Sequence, residues 1–112
     1  MPPREWGFRI DDILEAIERI ERYTADLDFA HWLNDEKTID AVVRNLEIIG
    51  EAAAHVPDEV RKQYDDVPWD EMRGIRNILA HEYFAVDHEI LWRTINNDLG
   101  LLKTILQKQF GT

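Results

Sequence analysis

The chain has 112 residues, 45% of them hydrophobic, and 23 acids against 13 lysines and arginines give it a formal net charge of −10. That length suits one domain with one core, and the composition is that of a folded protein. No cysteine or serine occurs anywhere, which excludes disulfides, zinc–thiolate centres, cysteine nucleophiles and serine hydrolases, and the acidic balance has the wrong sign for holding nucleic acid on a broad basic surface.

The opening residues MPPREWGFRIDD carry no apolar run before a small-residue cleavage site, so no secretory signal is expected. No stretch approaches the roughly 18 apolar residues of a membrane span, which predicts a cytoplasmic protein with no membrane partner. FRIDDILEAIERIERYTADL then reads as a first long helix. Ile10, Ile13, Leu14, Ile17, Ile20, Thr24 and Leu27 recur at steps of three and four, the signature of one buried stripe. A break is expected at DFAHWLN, with Asn34 capping a second helix and Asp35 and Glu36 in its first turn. That helix carries its own stripe of Ile39, Val42, Val43, Leu46, Ile49, Ala53 and Val56. After Pro57, PDEVRKQY predicts a short helix. Pro68 suits the start of a fourth main one, with Asp70 and Glu71 in its first turn. The last helix is expected to run from near Asp87 through Phe110 with Leu91, Ile95, Leu99, Leu102 and Leu106 inward, tolerating Gly100 at about 1 kcal/mol. Nothing reads as a strand. The expectation is an all-α bundle of four main helices plus one short helix, a single domain over residues 1–112.

The fourth helix holds MRGIRNILAHEYF, in which no acid appears before Glu82. Successive helical residues turn by roughly 100°. Met72, Ile75, Ile78 and Leu79 therefore fall toward the core, and Arg73, Arg76, Asn77, Ala80 and His81 toward the other side. Asn77 and His81 are four apart and neighbours. Arg76 and His81 border a groove floored by Ala80. An arginine is a permanently charged fork fitted to phosphate oxygens, and a histidine can pass protons near neutrality. RNA carries its own nucleophile, the 2′-hydroxyl, so no serine or cysteine is required. A cleaving site ordinarily uses two proton-handling groups, and two copies of this helix facing each other in a dimer would supply them.

An Arg, Asn and His on the outer side of a helix are also, ordinarily, just a solvated face. The zinc-protease pattern fails because Ala85 stands where the second histidine belongs. His31, His55 and His88 form no ligand spacing, so no metal and no cofactor is expected. Arg44, Glu47 and Glu51 share one side of the second helix. Either Glu51 orients a motif residue, or these are an ordinary ladder worth ~0.3–0.5 kcal/mol per pair. Ile48, away from the predicted core, suggests a dimer face. Trp6, Trp32, Trp69 and Trp92 are expected as core fillers.

The octapeptide RNILAHEY (Arg76–Tyr83) resembles the Arg, four residues, His, any residue, Tyr motif of the HEPN superfamily, specifically its HepT-like toxins. RNLEIIGEAA (Arg44–Ala53), VPW (Val67–Trp69), RNILAHEYFAVD (Arg76–Asp87) and Trp92 followed by INNDL (Ile95–Leu99) are similar to that family in order and spacing, so the resemblance covers roughly residues 10 to 106. It implies a HEPN-type bundle that forms a homodimer with the active cleft at the interface. It also implies a metal-independent endoribonuclease, the toxin of a toxin–antitoxin pair. Arg76 would bind phosphate and His81 would act as acid–base residue, with Asn77, Arg73 and Glu51 supporting. The implied partners are an RNA substrate and an MntA-like nucleotidyltransferase antitoxin, which silences the toxin by moving AMP from ATP onto Tyr83. The rival readings are a non-catalytic HEPN module that binds nucleotide or partner, and a purely structural helical adaptor.

Overall fold

In the computed structural model, residues 4–82 and 87–111 are described, with the side chains of residues 4 and 76–82 left outside. Helix α1 (Arg4–Thr24) buries Trp6, Ile10, Ile13, Leu14, Ile17 and Ile20 along one side, and Thr24 ends the stripe with its hydroxyl donating to the Ile20 carbonyl at 2.8 Å. Helix α3 (Glu36–Ala54) meets it with Ile39, Val42, Leu46, Ile49 and Ala53, all buried. Around these, α3 also buries Val43, Gly50, Asn45 and Ala52. Its inward arc is wide enough to carry two neighbours, α1 and α5 (Trp69–Glu82), which are its main packing partners. Every residue of both expected stripes is buried except Leu27, which is half-buried against the same core.

The stretch expected as a break is a short helix, α2 (Phe29–Leu33). Asp28 caps it, accepting from the His31 amide at 2.8 Å, and Trp32 is fully buried beneath it. The expected cap Asn34 instead closes α2, while Asp35 caps α3 and accepts from both the amide and the hydroxyl of Thr38. A carboxylate reaching two donors of the first turn outcompetes the amide one residue earlier. Helix α4 (Asp58–Gln63) is the expected short one. Pro68 lies just before α5, its carbonyl accepting from the Met72 amide.

The single last helix is divided at Asp98 into α6 (His88–Asn97) and α7 (Leu99–Phe110). Asp98 has φ −103°, well off the helical value. Side-chain donations back to carbonyls four residues earlier, from Thr94 to Ile90 and from Asn96 to Trp92, crowd the turns before it, a pattern that bends helices. The five inward leucine and isoleucine positions survive the break, and Phe110 joins them. Gly111 then takes the left-handed conformation, φ 73°, and closes α7 on the Gln107 carbonyl. Among the described residues all regular structure is helical, in seven helices rather than the expected four main and one short.

The tryptophans are core fillers as expected: Trp6, Trp32 and Trp69 are buried, and Trp92 packs half-buried on Trp32 with ring centres 5.5 Å apart. Trp32 also donates its indole N–H to the His88 carbonyl at 3.0 Å, tying α2 to the start of α6.

Trp32→Phe keeps most of the apolar volume but leaves that carbonyl without its donor. Urea unfolding of this variant should show a loss of about 1–3 kcal/mol with an unchanged m value; a loss indistinguishable from zero would mean the tie does not hold the helices together.

Two hydrogen bonds from Thr38 hold the Asp35 carboxyl below the usual carboxylate range. A depressed folded-state pKa contributes stability that is present above the unfolded value, near 4, and lost as pH falls through the folded one. Asp35→Ala should therefore melt lower than wild type at pH 6, and the gap should close as pH drops below about 4. A gap independent of pH would remove the carboxylate from the cap.

Candidate functional site

Helix α5 is anchored firmly at its beginning. Trp69 is buried and donates its indole N–H to the Tyr64 carbonyl at 3.0 Å, and Val67 and Met72 are buried on either side of it. Tyr64 packs on Phe110 with ring centres 4.6 Å apart and planes tilted by 46°, and Trp6 meets Phe110 edge-on at 5.7 Å. The start of α1, the turn before α5 and the end of α7 thus share one aromatic cluster, worth more than its buried area alone through ring–ring geometry. From that anchor α5 runs along α3 without interruption to Glu82.

Five residues of the candidate site can be placed on this frame, four on α5 and one on α3. Arg73 is exposed, with a guanidinium nitrogen 3.8 Å from Asp70, a loose surface pairing. Arg76, Asn77 and His81 all belong to the continuous helix, as their spacing requires. The side chains of these three lie outside the described residues, as does Tyr83 altogether. Glu51 lies on α3 with a carboxylate oxygen 3.5 Å from Nδ1 of His55, whose same nitrogen is 2.8 Å from the Glu51 carbonyl.

Ile48 is corrected by the structure. It packs half-buried against the core and does not stand clear of it. With Ala52 it floors a groove of about 370 Å³ between α1 and α3, rimmed by Arg9, Asp12, Arg44 and Glu51. Arg44 and Glu47 pair across its edge at 3.7 Å. Arg9 and Asp12 escaped the sequence reading, although they flank the α1 stripe three residues apart. The rim mixes both signs of charge, and the groove is a poor bed for a polyanion.

A larger hollow of about 650 Å³ opens beside the first turns of α4 and α5. Arg61 reaches into its wall, paired with Asp58 through one nitrogen while the other is buried without a partner. Asp65, Asp66, Asp70 and Glu71 line the same hollow together with Lys62 and Arg73, so its lining is acidic on balance. Two of the remaining histidines make surface contacts, His31 with Asp28 at 2.6 Å and His55 with Glu51. Among the described residues no group of His, Asp and Glu is disposed to hold a metal ion, and no helix is long and apolar enough to cross a membrane.

The family described as "Ribonuclease HepT-like" matches residues 13–109, from the middle of α1 nearly to the end of α7. The chain belongs to this HepT-like family. It is 43% identical over 99 residues to a "Probable ribonuclease HepT" of Thermococcus cleftensis, covering 88% of this chain and 90% of that one. It is 40% identical over 92 residues to a "Putative RNase MJ1380" of Methanocaldococcus jannaschii, covering 82% and 84%. A "Putative RNase TTE0752" of Caldanaerobacter subterraneus is 38% identical over 104 residues, covering 89% and 93%. No solved structure matches the chain. The HepT-like match includes all of α5, so the segment RNILAHEY lies inside it.

Proposed function

We propose that this HepT-like protein is a metal-independent endoribonuclease that works as a homodimer and is silenced by transfer of AMP to Tyr83. The observation that carries the reading is the Arg76–His81 pair set on one unbroken helix inside the family match. Relatives sharing about two fifths of their residues are named as ribonucleases.

The reaction follows from the residue types. One imidazole takes the proton from the 2′-hydroxyl, and the resulting oxygen attacks the adjacent phosphorus. The bond from phosphorus to the 5′-oxygen breaks, and a second imidazole, already protonated, gives its proton to that leaving oxygen. The arginine pairs with the non-bridging oxygens as negative charge grows on them, and Asn77 adds a neutral donor. One chain offers one such histidine on this helix, so a second copy supplies the other, with a shared cleft gathering at least two Arg76 groups. That concentrates positive charge in a protein whose net charge is −10.

Silencing is a balanced exchange. The Tyr83 phenol oxygen attacks the α-phosphorus of ATP, held by a partner nucleotidyltransferase, and pyrophosphate leaves. The attached phosphate brings a negative charge seven residues along the sequence from Arg76, where it would compete with RNA for the guanidinium.

His81→Ala should abolish cleavage of an RNA substrate, by at least about 100-fold, while shifting the melting temperature little, and wild-type cleavage should survive EDTA. A large fall in melting temperature would make His81 structural, and a demand for a divalent cation would overturn the proton-transfer scheme.

Incubated with ATP and a cognate nucleotidyltransferase, the wild type should gain the mass of AMP and lose activity, and Tyr83→Phe should do neither. Equal labelling of both proteins would remove Tyr83 as the acceptor.

A further inference from the structure

Helices α6 and α7 leave two large apolar side chains in the open on one side. Ile90 is 53% exposed and Leu101 66%, more than any other large apolar residue among those described. They stand eleven residues apart, three helical turns and about 16 Å along the axis. The division at Asp98 does not turn them away from each other. Leu91, Ile95, Leu99, Leu102 and Leu106 stay buried across it. The Asp98 amide donates to the Thr94 carbonyl at 2.9 Å, and the Leu102 amide to the Asp98 carbonyl at 3.0 Å. With Thr94 and Asn97 between them, the stripe runs Ile90, Thr94, Asn97, Leu101 at steps of four, three and four. That is the spacing of a coiled-coil seam.

The stripe is complementary to itself. Laid antiparallel on a second copy about a two-fold axis, Ile90 meets Leu101 of that copy and Thr94 meets its Asn97, and both pairs recur by symmetry. Apolar groups then cover apolar groups. The Thr94 hydroxyl donates to its own Ile90 carbonyl at 2.9 Å, so its oxygen can still accept from an Asn97 amide. One polar pair within an apolar seam sets the register.

Charge selects the same occupant. Of the chain's 23 acids only Asp98 falls within residues 90–112, against Arg93, Lys103 and Lys108, and residues 99–112 are the longest acid-free run in the sequence. Two copies that each carry a net charge of −10 repel each other. They approach along α6 and α7 with the least acid facing acid. A phosphate strand would find no cation at the four positions of the stripe.

We propose that this stripe is the surface on which two copies of the chain pair, antiparallel, with Ile90 of each seated against Leu101 of the other. The inference rests on the homodimer of the ribonuclease reading and gives that homodimer its contact. A two-fold axis normal to the paired helices returns any element on one side of them to the same side in the second copy. A cleft shared by two α5 helices needs that arrangement.

The test exchanges charges across the seam, with sedimentation equilibrium and cleavage of an oligoribonucleotide as readouts. Ile90→Lys and Leu101→Glu should keep the helical circular dichroism of wild type, since both side chains are exposed. Each should dimerise at least about 30-fold more weakly. Mixed one to one, they should pair again, because the new lysine meets the new glutamate at one end of the seam and Ile90 still meets Leu101 at the other. Cleavage should fall with the dimer and return in the mixture. Leu33→Glu, at an exposed leucine of α2, should stay dimeric. Wild-type pairing by Leu101→Glu overturns the seam and leaves the homodimer reading standing, as does equal dissociation by Leu33→Glu. Two variants that remain apart when mixed overturn the antiparallel register. Wild type that is monomeric where it cuts RNA removes the seam and the homodimer together. Wild type that pairs through the seam but cuts no RNA sinks the nuclease reading alone.

Discussion

Everything in this fold leans on the width of the buried arc of α3. A helix that only had to meet α1 would need the stripe of Ile39, Val42, Leu46, Ile49 and Ala53, about a third of its circumference. By burying Val43, Gly50, Asn45 and Ala52 as well, α3 becomes the middle layer on which α1 and α5 are both laid. The arc has a polar flaw. Asn45 is 95% buried by its 5% exposure; its amide donates to the Ala41 carbonyl at 2.9 Å, and its side-chain oxygen is buried without a partner. Such an orphan costs about 1–3 kcal/mol, which the surrounding aliphatic burial offsets. The course of α5, and with it the spacing of the candidate site, is inherited from this middle layer.

How much of this could be read from the residues depended on the range of the forces involved. The stripes of α1 and α3 were legible because burial repeats with the helical period, and nearly every expected position is inside. The end of the final helix was harder. Hydrophobic periodicity runs straight through Asp98, since Leu91, Ile95, Leu99, Leu102 and Leu106 keep their steps, and the break lies in backbone angles that periodicity does not encode. Helix α2 was invisible for the opposite reason: five residues carry too little periodicity, and its existence rests on the tertiary burial of Trp32. Asp35 displaced Asn34 through a bond to Thr38 three residues on, a local pattern visible in DEKT once the carboxylate is weighed against the amide. For the site, the motif and its helix were legible, Ile48 was misjudged because a flank position was taken for an outward one, and Arg9 and Asp12 were missed because a groove between two helices is a tertiary fact.

The charge distribution gives the acidic composition a place. Glu15 pairs with Arg19 along α1 and Glu21 with Lys103 on α7, so part of the acid is neutralised on the side of the bundle formed by those helices. The two described hollows are rimmed mainly by acids or by mixed charge. Neither invites a polyanion. By sequence, the longest reach of α5 with arginine and no acid runs from Met72 to His81, so repulsion elsewhere would guide a phosphate strand toward it.

The bond from Trp32 to the His88 carbonyl acquires meaning from where it falls. Only five residues, 83–87, join α5 to α6, a bridge of at most about 18 Å. At its far end Asp87 accepts from the Glu89 amide at 2.8 Å and Trp32 grips the first residue of α6. Whatever displaces the start of α6 therefore pulls on the Trp32 indole and, through it, on α2, 56 residues earlier in the chain.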